Sequence, residues 1–172
     1  MTAAGLVVAG CSGEPSTREN TASRELTTSG TASENASEPT STAPATASSS
    51  AASARGLAIT TAASDFGPML FDRNGQAIYL FDKETTRQPQ CYGACASAWP
   101  PVLTLGHPRA GGAVQENLLG TTERTDGSSQ VTYAGHPLYY YAHEDPHQVL
   151  CHDVTEFGGR WLVVTPNGTP AV

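Results

Sequence analysis

From Gly67 onward, short apolar runs alternate with clusters of turn-forming residues, at intervals too short for helices. Gly67-Pro68-Met69-Leu70-Phe71 runs into Asp72-Arg73-Asn74-Gly75, and Ala77-Ile78-Tyr79-Leu80-Phe81 follows. An Asn-Gly pair supplies positive φ at little cost, so this spacing predicts a hairpin. The same grammar returns in Gln130-Val131-Thr132-Tyr133, the turn Ala134-Gly135-His136, and Pro137-Leu138-Tyr139-Tyr140-Tyr141. Gly75, Tyr79 and Phe81 recur as Gly135, Tyr139 and Tyr141, an offset of 60 residues. Two related hairpin units are therefore expected near 67–84 and 127–144.

Two-residue spacing places Tyr79 with Phe81, and Tyr139 with Tyr141, on one strand face each. With Trp99, these side chains make either a core stripe or an open surface on which a ligand could stack. A last strand is predicted at Arg160-Trp161-Leu162-Val163-Val164, closed by Pro166-Asn167-Gly168, and Leu57-Ala58-Ile59-Thr60 could open the sheet. Residues 102–129 are rich in turn formers and show no amphipathic helix. Helix is expected only near Ala94–Trp99, where Pro100-Pro101 would stop it. The predicted fold is mainly β, a small antiparallel β domain over 56–170.

Upstream the pattern disappears. Residues 12–50 hold ten Ser, eight Thr and three Pro, no aromatic residue and one Leu. Such a composition cannot bury enough apolar surface to offset the entropy of ordering it, so 12–55 reads as a disordered tether. A span of about 39 flexible residues reaches roughly 30–40 Å. Before it, Leu6-Val7-Val8-Ala9-Gly10-Cys11 has the form of a lipoprotein processing site, with small residues ahead of a cysteine that takes the lipid, of palmitate type. Residues 1–11 are read as a signal-peptide remnant; no Lys or Arg precedes Cys11, so either the start lies inside a longer signal peptide or the match is accidental.

Charge narrows the partners. The formal net charge is −7 and Lys83 is the only lysine, which argues against binding a phosphate backbone. Nucleic acid is therefore not an expected partner, and the membrane is reached only through the lipid on Cys11.

The remaining chemistry lies in cysteines and histidines. Cys91 and Cys95 are four positions apart. In an oxidising compartment they could bond to each other, or either could bond to Cys151. With Cys11 committed to lipid, an odd number of thiols remains. The series His143, His147, Cys151, His152 offers ligands suited to Cu or Zn, although Pro146 and the acidic turn around it indicate a loop rather than a helical face. Cys-x-x-x-Cys is one residue longer than the redox dithiol motif and lacks a βαβ context. No Gly-x-Ser-x-Gly or His-Glu-x-x-His motif occurs. Asp82 with Glu84, and Glu144 with Asp145, read as solvated acids at strand ends, too weak a signal for glycosidase chemistry.

Tyr79-Leu80-Phe81-Asp82-Lys83-Glu84 and Tyr139-Tyr140-Tyr141-Ala142-His143-Glu144, with Cys91–Pro101 after the first and Gly158–Val164 after the second, resemble a family of predicted bacterial lipoproteins. That family is named for a Tyr-x-(Phe/Trp/Tyr)-x-x-Asp motif and also described as a secreted repeat of unknown function. Each final Asp of the motif is Glu here, which keeps a carboxylate on a longer stem. The resemblance implies a Cys91–Cys95 disulfide and leaves Cys151 outside it. The expected protein is a lipid-anchored, extracytoplasmic, non-enzymatic binding or structural lipoprotein of the cell envelope. Its partner would be an unidentified envelope protein or small ligand, met at Tyr79, Phe81, Trp99, Tyr139 and Tyr141. No cofactor is expected. The alternative is a metal-handling (Cu or Zn) or electron-transfer accessory lipoprotein that uses Cys151 and its neighbouring histidines.

Overall fold

The computed structural model describes residues 56–171. The expected lipid site at Cys11 and the tether, 12–55, lie outside the described residues. The strands are β1 (Ala58–Ser64), β2 (Gly67–Asp72), β3 (Tyr79–Phe81), β4 (Arg109–Ala110), β5 (Leu119–Glu123), β6 (Ser129–Tyr133), β7 (His136–Tyr139), β8 (Val154–Glu156) and β9 (Gly159–Val163). One short helix, α1 (Ala94–Ala98), lies between β3 and β4, and a 3-10 turn spans Glu116–Leu118. The mainly β expectation holds, and α1 falls where the apolar segment before Pro100 placed it.

The strands form two sheets, ordered β2-β1-β4 and β5-β6-β7-β3-β9-β8. All pairings are antiparallel except that of β1 with β4. Each repeat supplies a hairpin, β1–β2 or β5–β6, followed by one central strand, β3 or β7. Tight turns join these parts: Gly75 adopts φ 86° before β3, and Ala134 and Gly135 adopt 49° and 87° before β7. A Cβ on Gly75 would also lie 2.4 Å from His147 Cε1, so glycine is required there for space as well as for φ.

The two central strands meet at the middle of the larger sheet, where Tyr79 faces Tyr139 in register. Equivalent residues of the two repeats are thus cross-strand partners, which defines a local two-fold relation between β3 and β7. Both faces of this centre are buried. Tyr79, Phe81, Tyr139, Trp161 and Val163 point to one side with Trp99 and Tyr141. Ile78, Leu80, Leu138, Leu162 and Val164 point to the other. Burial on both faces explains the continuous apolar runs of β3 and β7, since strict alternation requires one solvated face.

Strands β5 and β8 were not legible in the sequence. Leu-Gly-Thr-Thr-Glu and Val-Thr-Glu each carry a single large apolar residue, and both strands lie at sheet edges. Pairing with a neighbour, rather than burial, keeps them extended.

Candidate functional site

The aromatic positions singled out in the sequence converge, but inward. Tyr79, Trp99 and Tyr139 are fully buried, and Phe81 and Tyr141 keep only 2% and 7% of their surface. They form the core stripe, so the alternative of an open stacking surface at Tyr79, Phe81, Trp99, Tyr139 and Tyr141 is corrected. The physical reason is that Trp161 from β9 and Trp99 from beyond α1 close over them. Trp99 and Trp161 stack with centroids 4.0 Å apart and planes within 3°. Phe81 extends the stack on Trp161 at 4.2 Å. Tyr79 meets Trp99 edge-on at 5.2 Å, Tyr139 meets Trp161 edge-on at 5.3 Å, and Tyr141 lies 4.9 Å from Trp99. Offset stacking and edge contacts of this kind add to the hydrophobic gain of burial.

At the ends of this cluster the motif carboxylates are exchanged between repeats. Tyr79 donates its hydroxyl to Glu144 Oε1 at 2.6 Å, and Tyr139 donates to Glu84 Oε1 at 2.7 Å. Each repeat's first tyrosine is therefore held by the other repeat's last residue. The same oxygens organise the loops that follow. Glu84 Oε1 accepts the backbone N–H groups of Gln90 and Cys91, and Glu144 Oε1 accepts that of Leu150. Glu84 is fully buried and Glu144 is 7% exposed. The expectation of solvated acids is corrected for these two, whereas Asp82 stays at the surface and pairs with Arg160.

Burial raises the pKa of both carboxyl groups, and the donors gathered on Oε1 oppose that shift. Burial and the neighbouring carboxylate raise both tyrosines far above their ordinary value, so the phenols remain protonated. Oε2 of each glutamate is buried with no hydrogen-bond partner among the described residues. A buried arginine also acts on Glu84. Arg124 donates to Gln130 Oε1 at 2.6 Å and to the Cys91 carbonyl at 2.9 Å, and lies 4.3 Å from the ring centre of Tyr92. Arg124 and Gln130 escaped the sequence reading because a lone arginine in Thr-Glu-Arg-Thr-Asp-Gly has the look of a surface turn.

The cysteines partly follow expectation. Cys91 and Cys95 form a disulfide with Cα atoms 5.2 Å apart. Cys151, which the family resemblance implied would be left free, is fully buried and is not a free thiol. Cys151 also lies 60 residues after Cys91 and seven after its own repeat's glutamate, the same interval as Glu84 to Cys91. It is the repeat equivalent of Cys91 rather than an addition to the pattern.

The candidate metal ligands diverge. His143 lies beside Tyr141 at 5.6 Å, and the His147 ring packs against Gly75. The His152 ring packs at a tilt against Phe66, with centroids 4.4 Å apart, and its Nδ1 accepts the Val163 N–H at 3.2 Å. Among the described residues no group of three His, Cys, Asp or Glu side chains is placed to hold a metal ion.

Two β repeats that exchange tyrosine and carboxylate partners around one aromatic core define the class of domain. A family described as a secreted repeat of unknown function matches residues 60–103 and 120–165, one match for each repeat. The chain belongs to that family. Neither a search of curated proteins nor one of solved structures returns a match.

Proposed function

We propose that this chain is a non-enzymatic domain of the cell envelope, anchored on the extracytoplasmic side by lipid on Cys11 and serving a binding or structural role. Membership of a secreted repeat family supports the extracytoplasmic setting. The observation that carries the non-enzymatic reading is the exchange of Tyr79, Glu144, Tyr139 and Glu84 within the interior. The distinctive polar groups of the motif are spent on holding the two repeats together, so a partner would meet the loops instead. Among the described residues the most exposed large apolar side chain, Leu105 at 88%, stands on such a loop.

The test is detergent-phase partitioning of the full chain made in a lipoprotein-processing host, with mass spectrometry of its N-terminus. The wild type should enter the detergent phase with a diacylated Cys11, and Cys11→Ser should be released into the aqueous phase. Equal partitioning of the two would remove the anchor. Glu144→Gln should alter thermal stability and leave partitioning unchanged, because the lock belongs to the folded domain and not to the tether.

A further inference from the structure

The interior contains an unbroken path of oxidisable side chains. Tyr141, near the surface and in contact with exposed His143, touches Trp99 at 4.9 Å; Trp99 touches Tyr79 at 5.2 Å and stacks on Trp161 at 4.0 Å. Parallel indoles at that separation share a positive hole between them. The ends of the path differ in where a proton can go. Trp99 Nε1 donates to Glu156 Oε2 at 2.9 Å, whereas Trp161 Nε1 is buried without an acceptor among the described residues. Loss of an electron makes a phenol strongly acidic. It is therefore easiest where a base already holds the phenolic hydrogen at hydrogen-bond distance, as Glu144 does for Tyr79. Tyr139 has a similar bond to Glu84, but the positive charge of Arg124 makes that carboxylate a poorer proton acceptor.

We propose that the aromatic core is a relay for one-electron oxidation, in which an electron leaves Tyr79 through Trp99 and Tyr141 and the Tyr79 proton passes to Glu144. The O–H bond of Tyr79 breaks and an O–H bond forms on Glu144 Oε1. Tyr79 becomes a neutral phenoxyl radical, the carboxylate becomes a carboxylic acid, and the electron ends on a solvent-borne one-electron oxidant of the radical or metal-complex class. This activity goes beyond a binding or structural role and uses neither a thiol nor a histidine cluster.

The experiment is flash oxidation of the full chain by photogenerated tris(bipyridine)ruthenium(III), followed by rapid freezing and electron paramagnetic resonance. The wild type should give a phenoxyl signal that is lost in Tyr79→Phe and strongly reduced in Trp99→Phe. In Glu144→Gln, nearly isosteric with the native residue, the phenoxyl signal should give way to an indole radical. Circular dichroism on each protein verifies that the fold is retained. Should Trp99→Phe fail to fold, Tyr79→Phe and Glu144→Gln decide the matter. An unchanged phenoxyl yield and line shape in those two variants would place the radical on another tyrosine, such as Tyr141 or half-buried Tyr92 or Tyr140, and overturn the relay.

Discussion

In the first repeat Glu84 lies in the field of buried Arg124, which the β5–β6 turn of the other repeat sends across to the Cys91 carbonyl. In the second repeat Glu144 has the same tyrosine partner and the same kind of loop contact. There, however, the β1–β2 turn sends Phe66 across, to pack at a tilt against His152. No cation acts on Glu144 among the described residues. Both carboxyl groups are thus compensated first by hydrogen bonds; Glu84 has the smaller pull of a buried cation in addition, where the Glu144 side has apolar packing. The difference teaches that the tyrosine–carboxylate exchange is the part the two-fold relation requires, while the electrostatics around it can be settled separately on each side.

The most severe way to break the comparison is to remove the cation. Arg124→Met leaves Glu84 buried without an opposite charge and strips donors from Gln130 and the Cys91 carbonyl, for an expected cost of roughly 3 kcal/mol. The corresponding change on the other side, Phe66→Leu, removes only ring contacts and should cost about 1 kcal/mol. Urea denaturation of both variants measures the gap, and equal costs would mean that Arg124 contributes packing alone.

The disulfide is a second asymmetry, since the position equivalent to Cys95 is Thr155. Replacing both Cys91 and Cys95 by Ser should cost about 2 kcal/mol, the entropy of so short a closed loop. The loss should be visible as a lower denaturation midpoint with an unchanged slope.

Tyr79→Phe and Tyr139→Phe each remove one hydroxyl from a buried carboxyl group and should cost about 1–2 kcal/mol. Double-mutant cycles sharpen the picture further. Tyr79→Phe with Glu144→Gln, and Tyr139→Phe with Glu84→Gln, should be non-additive, because each pair shares a hydrogen bond. Tyr79→Phe with Glu84→Gln should be closer to additive. The opposite pattern would mean that each motif acts within its own repeat.

That exchange is what the sequence conceals. The turns at Gly75 and Gly135, the 60-residue offset, the helix before Pro100 and the aromatic stripe are all local periodicities, and pattern reading finds them, whereas the hairpin expected across Gly75 keeps only the Phe71–Ala77 bridge because β2 and β3 enter different sheets. The partner of Tyr79 is 65 residues away and that of Tyr139 is 55 away, in the other repeat. No local pattern encodes a pairing that arises only when β3 and β7 meet in register. An acid three residues after an aromatic looks like the polar end of a strand. The chain instead folds back so that the glutamate caps the next six residues and disappears from solvent. The one clue was arithmetic, the equal interval from Glu84 to Cys91 and from Glu144 to Cys151.

The smallest expected effect discriminates best between the two locks. Burial places the folded-state pKa of Glu144 above its ordinary value of 4.5. A carboxyl shifted upward binds its proton more tightly in the folded than in the unfolded chain. Its contribution is therefore most favourable below the unfolded value and is lost as pH rises through the folded one. Glu144→Gln replaces the group by a neutral one of the same shape, which keeps an acceptor for Tyr79. It should cost less than about 1 kcal/mol, and that cost should shrink, or turn into a gain, as pH rises from 4.5 toward neutrality. Glu84→Gln removes a similarly raised carboxyl, so its cost should shrink in the same direction as pH rises, but it also strands Arg124, which adds a cost at every pH and makes this variant the less stable of the two throughout. Thermal midpoints of the wild type and both variants at several pH values read the two slopes directly. Equal costs for the two variants at every pH would show that Arg124 does not distinguish the two carboxylates.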